Sequence, residues 1–595
     1  MALLLAAACL VPGMAAAQSA VVRHTVSLPD HQEQLIQVRS EFPVEATETE
    51  LYMPNWTPGS YRIREFAANI NTLSATAGDG RALVARKVAK DRWRVVTDGV
   101  ETLVVDYEVF TPDLNVSTSW ASREFTLING ASVFLYTEAS MALPQLLVVE
   151  AGGERGDAFS ALPGTAGAFR AANYDELVDN PVVVAPAPAF RFVHDDHEYV
   201  LLNVGHNESW DGQKAAGDVR KIVAEMQSFW DINPLQRPYW FMNLAVGGRG
   251  GLEHDHSTVI ISNRRAMRDR NTYIAWLGVV AHEFFHVWNV RRMRPTPLGE
   301  YDYQNEQYTR QLWLAEGLTS YYDSLLLSRA GLITPEEYLE LLARDIHRLE
   351  SAPGRLLRPV TEASMDTWIR HYRPNANSVN STISYYTKGA VIGFVLDSYL
   401  RRESKGRSNL DDVMREMYRR YASEPYPPGA FAALIEEVGG SDAAELLGGL
   451  LYDTADPDMD EALDWYGLMV ERTVNGNGAE PGSGFGILWE EGGSDMVVRT
   501  VRSDGSGALA GLVPGDEVLA IGGERLRRDN FDELMKSFDP GEQTTLLISR
   551  RGKVSNLDLT LDTAKPDRYE IKVQSGFGNR HLRRLQNLLG QTIGE

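Results

Sequence analysis

The chain has 595 residues, 44% apolar and 23% charged, the balance of an ordinary globular protein and more length than a single core supports. Its formal net charge of −23 repels phosphate backbones and sets nucleic acid aside as a partner. The only cysteine is Cys9, inside an N-terminal leader, so disulfides, thiolate metal ligands and a cysteine nucleophile are set aside as well.

The chain opens MALLLAAACLVPGMAAAQSA. An apolar run too short to span a bilayer, then Ala15-Ala16-Ala17 before Gln18, is the pattern of a signal peptide over 1–17. It predicts an exported protein, periplasmic or secreted from a bacterium, and no later stretch reads as a membrane span. Residues 18–180 alternate apolar and polar over short runs ("QLIQVRSEF", "ETLVVDYEVF") between turn signals, which predicts an N-terminal antiparallel β domain. The stretch "NPVVVAPAPAF" at 180–190 reads as a linker. A second domain, 181–472, mixes strands and helix up to about 270 and is mainly helical beyond. Residues 473–565 return to strands. The tail, 566–595, places Leu582, Leu585, Leu588 and Leu589 on one face of a docking helix. The fold class expected is multidomain α+β.

Within the second domain, "TYIAWLGVVAHEFFHVWNVRR" predicts a buried helix over about 272–292. His282 and His286, one turn apart, project from one face of it and can both reach a Zn²⁺ at roughly 2.0–2.1 Å. Glu283, beside the first histidine, is placed to take a proton from a water rather than to bind the metal. Titratable residues on so apolar a helix need partners, and Glu316, on the apolar face of "QLWLAEGLTSYYDSLLLSRA", is the candidate third ligand. His282, His286 and Glu316 would hold one Zn²⁺ per chain with a coordination position left open. Ser320 and Asp323 stand one and two turns beyond Glu316, and the spacing does not say which groups orient the histidines.

Upstream, "GGRGGLEHDHSTVIIS" offers Glu253 after a glycine-rich turn. A carboxylate there can hold a free α-ammonium by charge-assisted hydrogen bonding, and the bare backbone of Gly250 and Gly251 lets a substrate strand lie alongside. The "EHDH" run is not read as a second metal site, because neighbours on a strand face opposite ways. His254 is taken as a pocket or structural histidine.

The spellings HEFFHVWNVRRMRP (282–295), NWTPGSYRIREFA (55–67) and NYDELVDNPV (173–182) are similar to those of the glycyl aminopeptidase family of gluzincin metallopeptidases. That resemblance implies a thermolysin-like catalytic domain behind an N-terminal β domain, with a PDZ-like domain attached. It implies removal of N-terminal residues from peptides with a free amine, small ones such as Gly or Ala preferred. The Glu253 stretch resembles the Gly-x-Met-Glu-Asn motif of related aminopeptidases, with Leu252 and His254 as departures. Tyr386, in Tyr386-Thr387-Lys388-Gly389, resembles the tyrosine that donates to the oxyanion, with Tyr385 as its rival. The stretch around Trp56 to Tyr61 is read as a structural corner, with a reach into the catalytic cleft as the alternative.

In the fourth zone, Gly484-Phe485-Gly486-Ile487 and "GLVPGDEVLAIGG" resemble the carboxylate-binding loop and following strand of a PDZ domain, where successive N–H groups can cradle an anion. This unit would either bind a peptide C-terminus by strand addition or only pack against the catalytic domain. The competing readings are a gluzincin endopeptidase without the Glu253 role, and a PDZ-bearing peptide-binding protein with an inactive centre.

Overall fold

The computed structural model describes residues 20–29, 34–151, 153–165, 167–206, 208–474, 485–492, 495–562 and 565–591. The leader over 1–17 and Gly484 lie outside them. The chain forms an N-terminal β domain, a mixed and then helical middle, and a β-rich C-terminal region. No described helix is long and apolar enough to cross a membrane.

In the N-terminal domain, period-2 alternation turns directly into a half-buried sheet. Val22–Ser27 pairs antiparallel with Leu35–Pro43, which pairs antiparallel with Thr102–Phe110. The inward positions Val26, Val38, Val105 and Tyr107 meet in one core. A second, four-stranded sheet runs in the order Asp157–Phe159, Val182–Ala185, Thr126–Ile128, Trp120–Ala121.

The stretch expected to be a linker is part of that sheet. Val182–Ala185 is buried at all four positions because its two faces both have work to do. Val182 and Val184 enter the N-terminal core, whereas Val183 and Ala185 join Leu127, Leu202, Met242 and Val259 in a cluster shared with the next sheet. A β-branched run buried on both sides shows no alternation, and the prolines that follow it gave it the look of a tether.

The next sheet has five strands in the order Ala189–His194, His197–Val204, Tyr239–Leu244, Ser257–Ile261, Gly250–Glu253. Its middle pairs are parallel, and the last strand folds back antiparallel on Ser257–Ile261, with Glu253 opposite Thr258. The short strand Gly250–Glu253 is therefore a sheet edge. Helices Gly212–Trp230 and Arg270–Phe285 join this sheet's residues in the largest core, together with the helices that follow.

In the C-terminal region, Leu468–Thr473 pairs antiparallel with Arg568–Val573. This two-stranded stem closes off residues 485–562, which have a core of their own built on Phe485, Ile487, Val498, Phe531 and Ile548. The helix Asn579–Leu589 then returns to the helical middle, burying Leu585, Leu588 and Leu589. Ser328 Oγ donates to Leu589 O at 3.2 Å and Arg329 Nε to Leu588 O at 2.9 Å.

Candidate metal centre

The helix bearing His282 and Glu283 runs Arg270–Phe285, capped at its start by the Asp269 side chain accepting from Thr272 N–H and ending with His286 as its C-cap. It is shorter than its apolar pattern implied. The chain tightens into i→i+3 bonds (Val287 N–H to Phe284 O, Trp288 N–H to Phe285 O) and turns at Val290, whose φ is 113°. Asn289 Nδ2 donates to Leu314 O, Ala315 O and Thr319 Oγ1, binding this turn to the segment that carries Glu316.

That segment is itself irregular. Trp313–Gly317 is a π-turn, Leu318 N–H bonding back to Trp313 O, and Leu318–Arg329 continues as α-helix. The wide turn leaves the Leu314 and Ala315 carbonyls for Asn289, and it sets Glu316 over the two histidines, a use of π-turns seen at functional sites. Gly317 lies so close to the helix Tyr385–Glu403 that a Cβ on it would come within 2.6 Å of Gly389 Cα. Two glycines at the crossing thus bring the Glu316 turn and the Tyr386 helix into backbone contact.

His282, His286 and Glu316 converge. Nε2 of each histidine lies 3.2 Å from Glu316 Oε2, and their ligand atoms all fall within 4.8 Å of one another. His286 Nδ1 is 2.7 Å from the carbonyl of Asn289. A carbonyl only accepts, so this nitrogen carries the proton and the Nε2 lone pair is directed at the cluster. His282 Nδ1 lies 3.3 Å from Asp323 Oδ2. Two imidazole nitrogens and a carboxylate converge at these distances as the donors of a cation site do. The nitrogen and oxygen donor set fits Zn²⁺.

Glu253 and Glu283 stand on the other side of His286, with ligand atoms again within 4.8 Å of one another. Both are buried, and Glu283 Oε2 has no hydrogen-bond partner among the described residues. Burial pushes Glu283 up to about 8, with His282 and His286 pulling it back and Glu253 and Glu316 adding to the rise. Burial also raises Glu253, against the pull of His286. For Glu316 the burial cost is outweighed by the histidines, which hold it down at about 2. Gly251 explains its own identity here, since a Cβ on it would land 2.0 Å from Glu283 Oε1.

A cavity of about 290 Å³ opens beside the cluster, lined by Gly250, Gly251, His282, Glu283 and Tyr386 among others. Tyr386 is partly accessible, its ring 6.0 Å from that of His282 and its hydroxyl 3.1 Å from Tyr372 Oη. Tyr385 is fully buried, with its hydroxyl 2.9 Å from Thr367 Oγ1.

The three quoted motifs meet at this place. Gly59, at φ +83°, sits against Glu253 so closely that a Cβ would lie 2.7 Å from both carboxylate oxygens. The 55–67 stretch therefore reaches the cluster as well as forming a corner, in which Trp56 Nε1 donates to Asp302 O. Asp179, from the 173–182 motif, accepts from Asp255 N–H at 2.9 Å and from Arg291 Nη2 at 2.7 Å, while Arg291 Nε donates to Asp255 at 2.8 Å. This network fixes the loop that follows Glu253. His254 is buried, with Nδ1 3.3 Å from Asp179. Sequence reasoning missed Gly59, Asp179, Arg291 and Asn289, although each lies inside or directly beside a stretch already singled out by its spelling.

In the C-terminal unit, Phe485 and Ile487 turn their side chains into the core, and Gly486 takes φ +68° with its carbonyl accepting from Arg502 N–H.

Comparison with known proteins agrees with the geometry. Residues 275–392 match the model of the M61 glycyl aminopeptidases and residues 23–186 that of the peptidase M61 N-terminal domain. A crystal structure of an aminopeptidase N family protein from Idiomarina loihiensis superposes with a TM-score of 0.88 at 29% identity, covering 96% of this chain and 99% of that one. An M1 zinc metallopeptidase from Deinococcus radiodurans aligns at TM-score 0.45 and 13% identity over 74% of this chain and 96% of its own. A probable periplasmic serine endoprotease DegP-like protein of Pseudomonas putida is 29% identical over 132 residues, 22% of this chain, and the match spans 26% of that protein's length. The class defined by the fold and the family models is that of the peptidases. Within it, the chain carries matches to the M61 glycyl aminopeptidase domain and to the M61 N-terminal domain.

Proposed function

We propose that this protein is a zinc-dependent aminopeptidase that hydrolyses the first peptide bond of peptides with a free N-terminus. The observation that carries the reading is Glu253, a buried carboxylate at the end of a sheet edge, within 4.8 Å of Glu283 and His286 ligand atoms. His282, His286 and Glu316 would hold the Zn²⁺. When bound, the metal supplies Lewis acidity to the scissile carbonyl and lowers the pKa of water.

Glu253 accepts hydrogen bonds from the substrate α-ammonium, which fixes the first peptide bond over the cluster. The Gly250–Gly251 backbone pairs with the extended substrate. Glu283, with one oxygen that has no hydrogen-bond partner among the described residues, takes the proton of the attacking water and returns it to the leaving amine. Tyr386, its phenol held protonated by burial and by the charge of Glu316, donates to the developing oxyanion. Gly59 closes over Glu253, which favours a small first side chain such as Gly or Ala. The leader supports export to the periplasm or exterior.

The C-terminal unit is best read as PDZ-like and packed on the catalytic body. Asn380 supports this by donating through Nδ2 to Val501 O at 2.7 Å and accepting from Ser503 N–H at 2.8 Å. Binding of a peptide C-terminus remains the other use of such a fold.

The test is cleavage of a glycine-initiated peptide with its amine free, against the same peptide N-acetylated, with zinc added and then removed by a chelator. Chelator-sensitive cleavage of the free form alone is expected. Equal cleavage of both forms would discard the Glu253 anchor in favour of an endopeptidase, and cleavage of neither would favour a binding protein.

A further inference from the structure

The cavity beside the cluster is lined by two chemically different sets of side chains. One is His282, Glu283 and Tyr386, and the other is Arg249, Arg344 and Arg348, of which Arg344 feels the charge of both other arginines. Acidic residues outnumber basic ones 81 to 58 in this chain, so three guanidiniums on one cavity run against the protein's overall charge. Arg249 directly precedes the edge strand Gly250–Glu253, whereas Arg344 and Arg348 lie one turn apart on the helix Pro335–Glu350.

The carboxylates on this wall do not neutralise them. Asp323 is engaged by His282 at 3.3 Å, and Asp345 lies 3.4 Å from Arg348 alone. Among the described residues Arg249 and Arg344 make no ion pair, and all three arginines are solvent-accessible. Burial pushes Asp345 up to about 6, and Arg344 is held below its ordinary value by partial burial and by Arg348 and Arg249.

We propose that this group of arginines is a subsite for a substrate carboxylate lying downstream of the scissile bond, presented by the C-terminus of a short peptide or by an Asp or Glu side chain. The proposal rests on the aminopeptidase reading, in which Glu253 fixes the substrate amine. Arg249 is four residues from Glu253, about 13 Å along an extended strand, so a peptide running along the edge from Glu253 brings its first few residues to the arginines. A guanidinium with no partner of its own binds a carboxylate in a bidentate manner.

The experiment compares kcat/KM for Gly-Ala-Ala, Gly-Ala-Ala-amide, Gly-Asp-Ala-amide and Gly-Asn-Ala-amide, in the full chain and in Arg344→Gln. A preference of about tenfold or more is expected for the free acid over its amide, or for Asp over Asn, and the arm that shows it identifies the source of the carboxylate. In Arg344→Gln that ratio falls toward one. Arg344 is accessible, so the variant keeps its fold, checked by its melting temperature. Ratios near one in the unaltered protein, with all four peptides cleaved, would overturn the subsite and leave the aminopeptidase reading standing. Cleavage of none of them would overturn both.

Discussion

Two buried clusters of charge lie in the interior of this molecule, and they are built on opposite terms. In the first, Asp397 accepts from Tyr321 Oη at 2.8 Å, Arg401 Nε at 2.9 Å and Leu410 N–H at 2.8 Å. Beside it, Asp411 accepts from Tyr322 Oη at 3.2 Å and Arg329 Nη1 at 2.9 Å. Two acids meet two permanent cations, and although Arg401 Nη2 has no hydrogen-bond partner among the described residues, the charges balance and tie the helices Leu318–Arg329, Tyr385–Glu403 and Leu410–Tyr421 together. In the second, three acids, Glu253, Glu283 and Glu316, share two histidines, and one carboxylate oxygen has no partner among the described residues. Compensated buried charge is architecture. Uncompensated buried charge is strain that a cation and a substrate ammonium would relieve.

The sharpest way to separate the two is to remove one carboxylate charge from each. Glu283→Gln keeps the volume of the side chain and abolishes its basicity. Peptide cleavage should fall about 10²–10⁴-fold while the folded state holds its stability, because the amide fills the same space and no complete set of hydrogen bonds is lost. A melting temperature that drops along with activity would mean that Glu283 belongs to the architecture after all.

Asp397→Asn should behave in reverse. Leaving Arg401 without its anion costs about 3–5 kcal/mol of stability, read as a lower denaturation midpoint, while kcat per folded molecule and bound zinc per chain stay as they were. Loss of zinc from a variant that is still folded would show that the two clusters are coupled through the helix Leu318–Arg329 and would break the comparison.

The second cluster was more legible in the sequence than the first, for a physical reason. His282, Glu283, His286 and Glu316 are polar residues in stretches apolar enough that each one stands out. The edge glycines announce a close approach, which the structure supplies at Gly251. Asp397 and Arg401 sit in an ordinary helical spelling whose partners come from residues 321 and 410, and nothing local marks them as buried. The same limit hid the strand Val182–Ala185, whose two-sided burial depends on a sheet formed after it in the chain. It also hid Gly59, which meets Glu253 across 194 positions of sequence. Local chemistry was readable, whereas contacts made by folding were not.

A third arrangement, in the N-terminal domain, lies between the two. His24 is buried against neutral partners, with Nδ1 2.8 Å from Ser40 Oγ and Nε2 3.1 Å from Gln145 Oε1. No cation or anion compensates it, so it avoids charge instead. Burial lowers its pKa to about 4, with the Gln145 contact pulling the other way. Below pH 6.5 the unfolded chain binds a proton at this position that the folded chain refuses until about pH 4, so stability rises with pH across that window and is lost as pH falls through it. The loss should approach about 2 to 3 kcal/mol by about pH 4.5. His24→Leu fills similar space without a titrating group. It should be less stable than the unaltered chain near neutrality, because Ser40 and Gln145 lose a partner, yet it should lose less stability on going from about pH 7 to about pH 4.5. Denaturant midpoints of both chains at the two pH values decide the matter. Equal losses would place the acid sensitivity elsewhere, and burial would then not be what keeps His24 neutral in the folded chain.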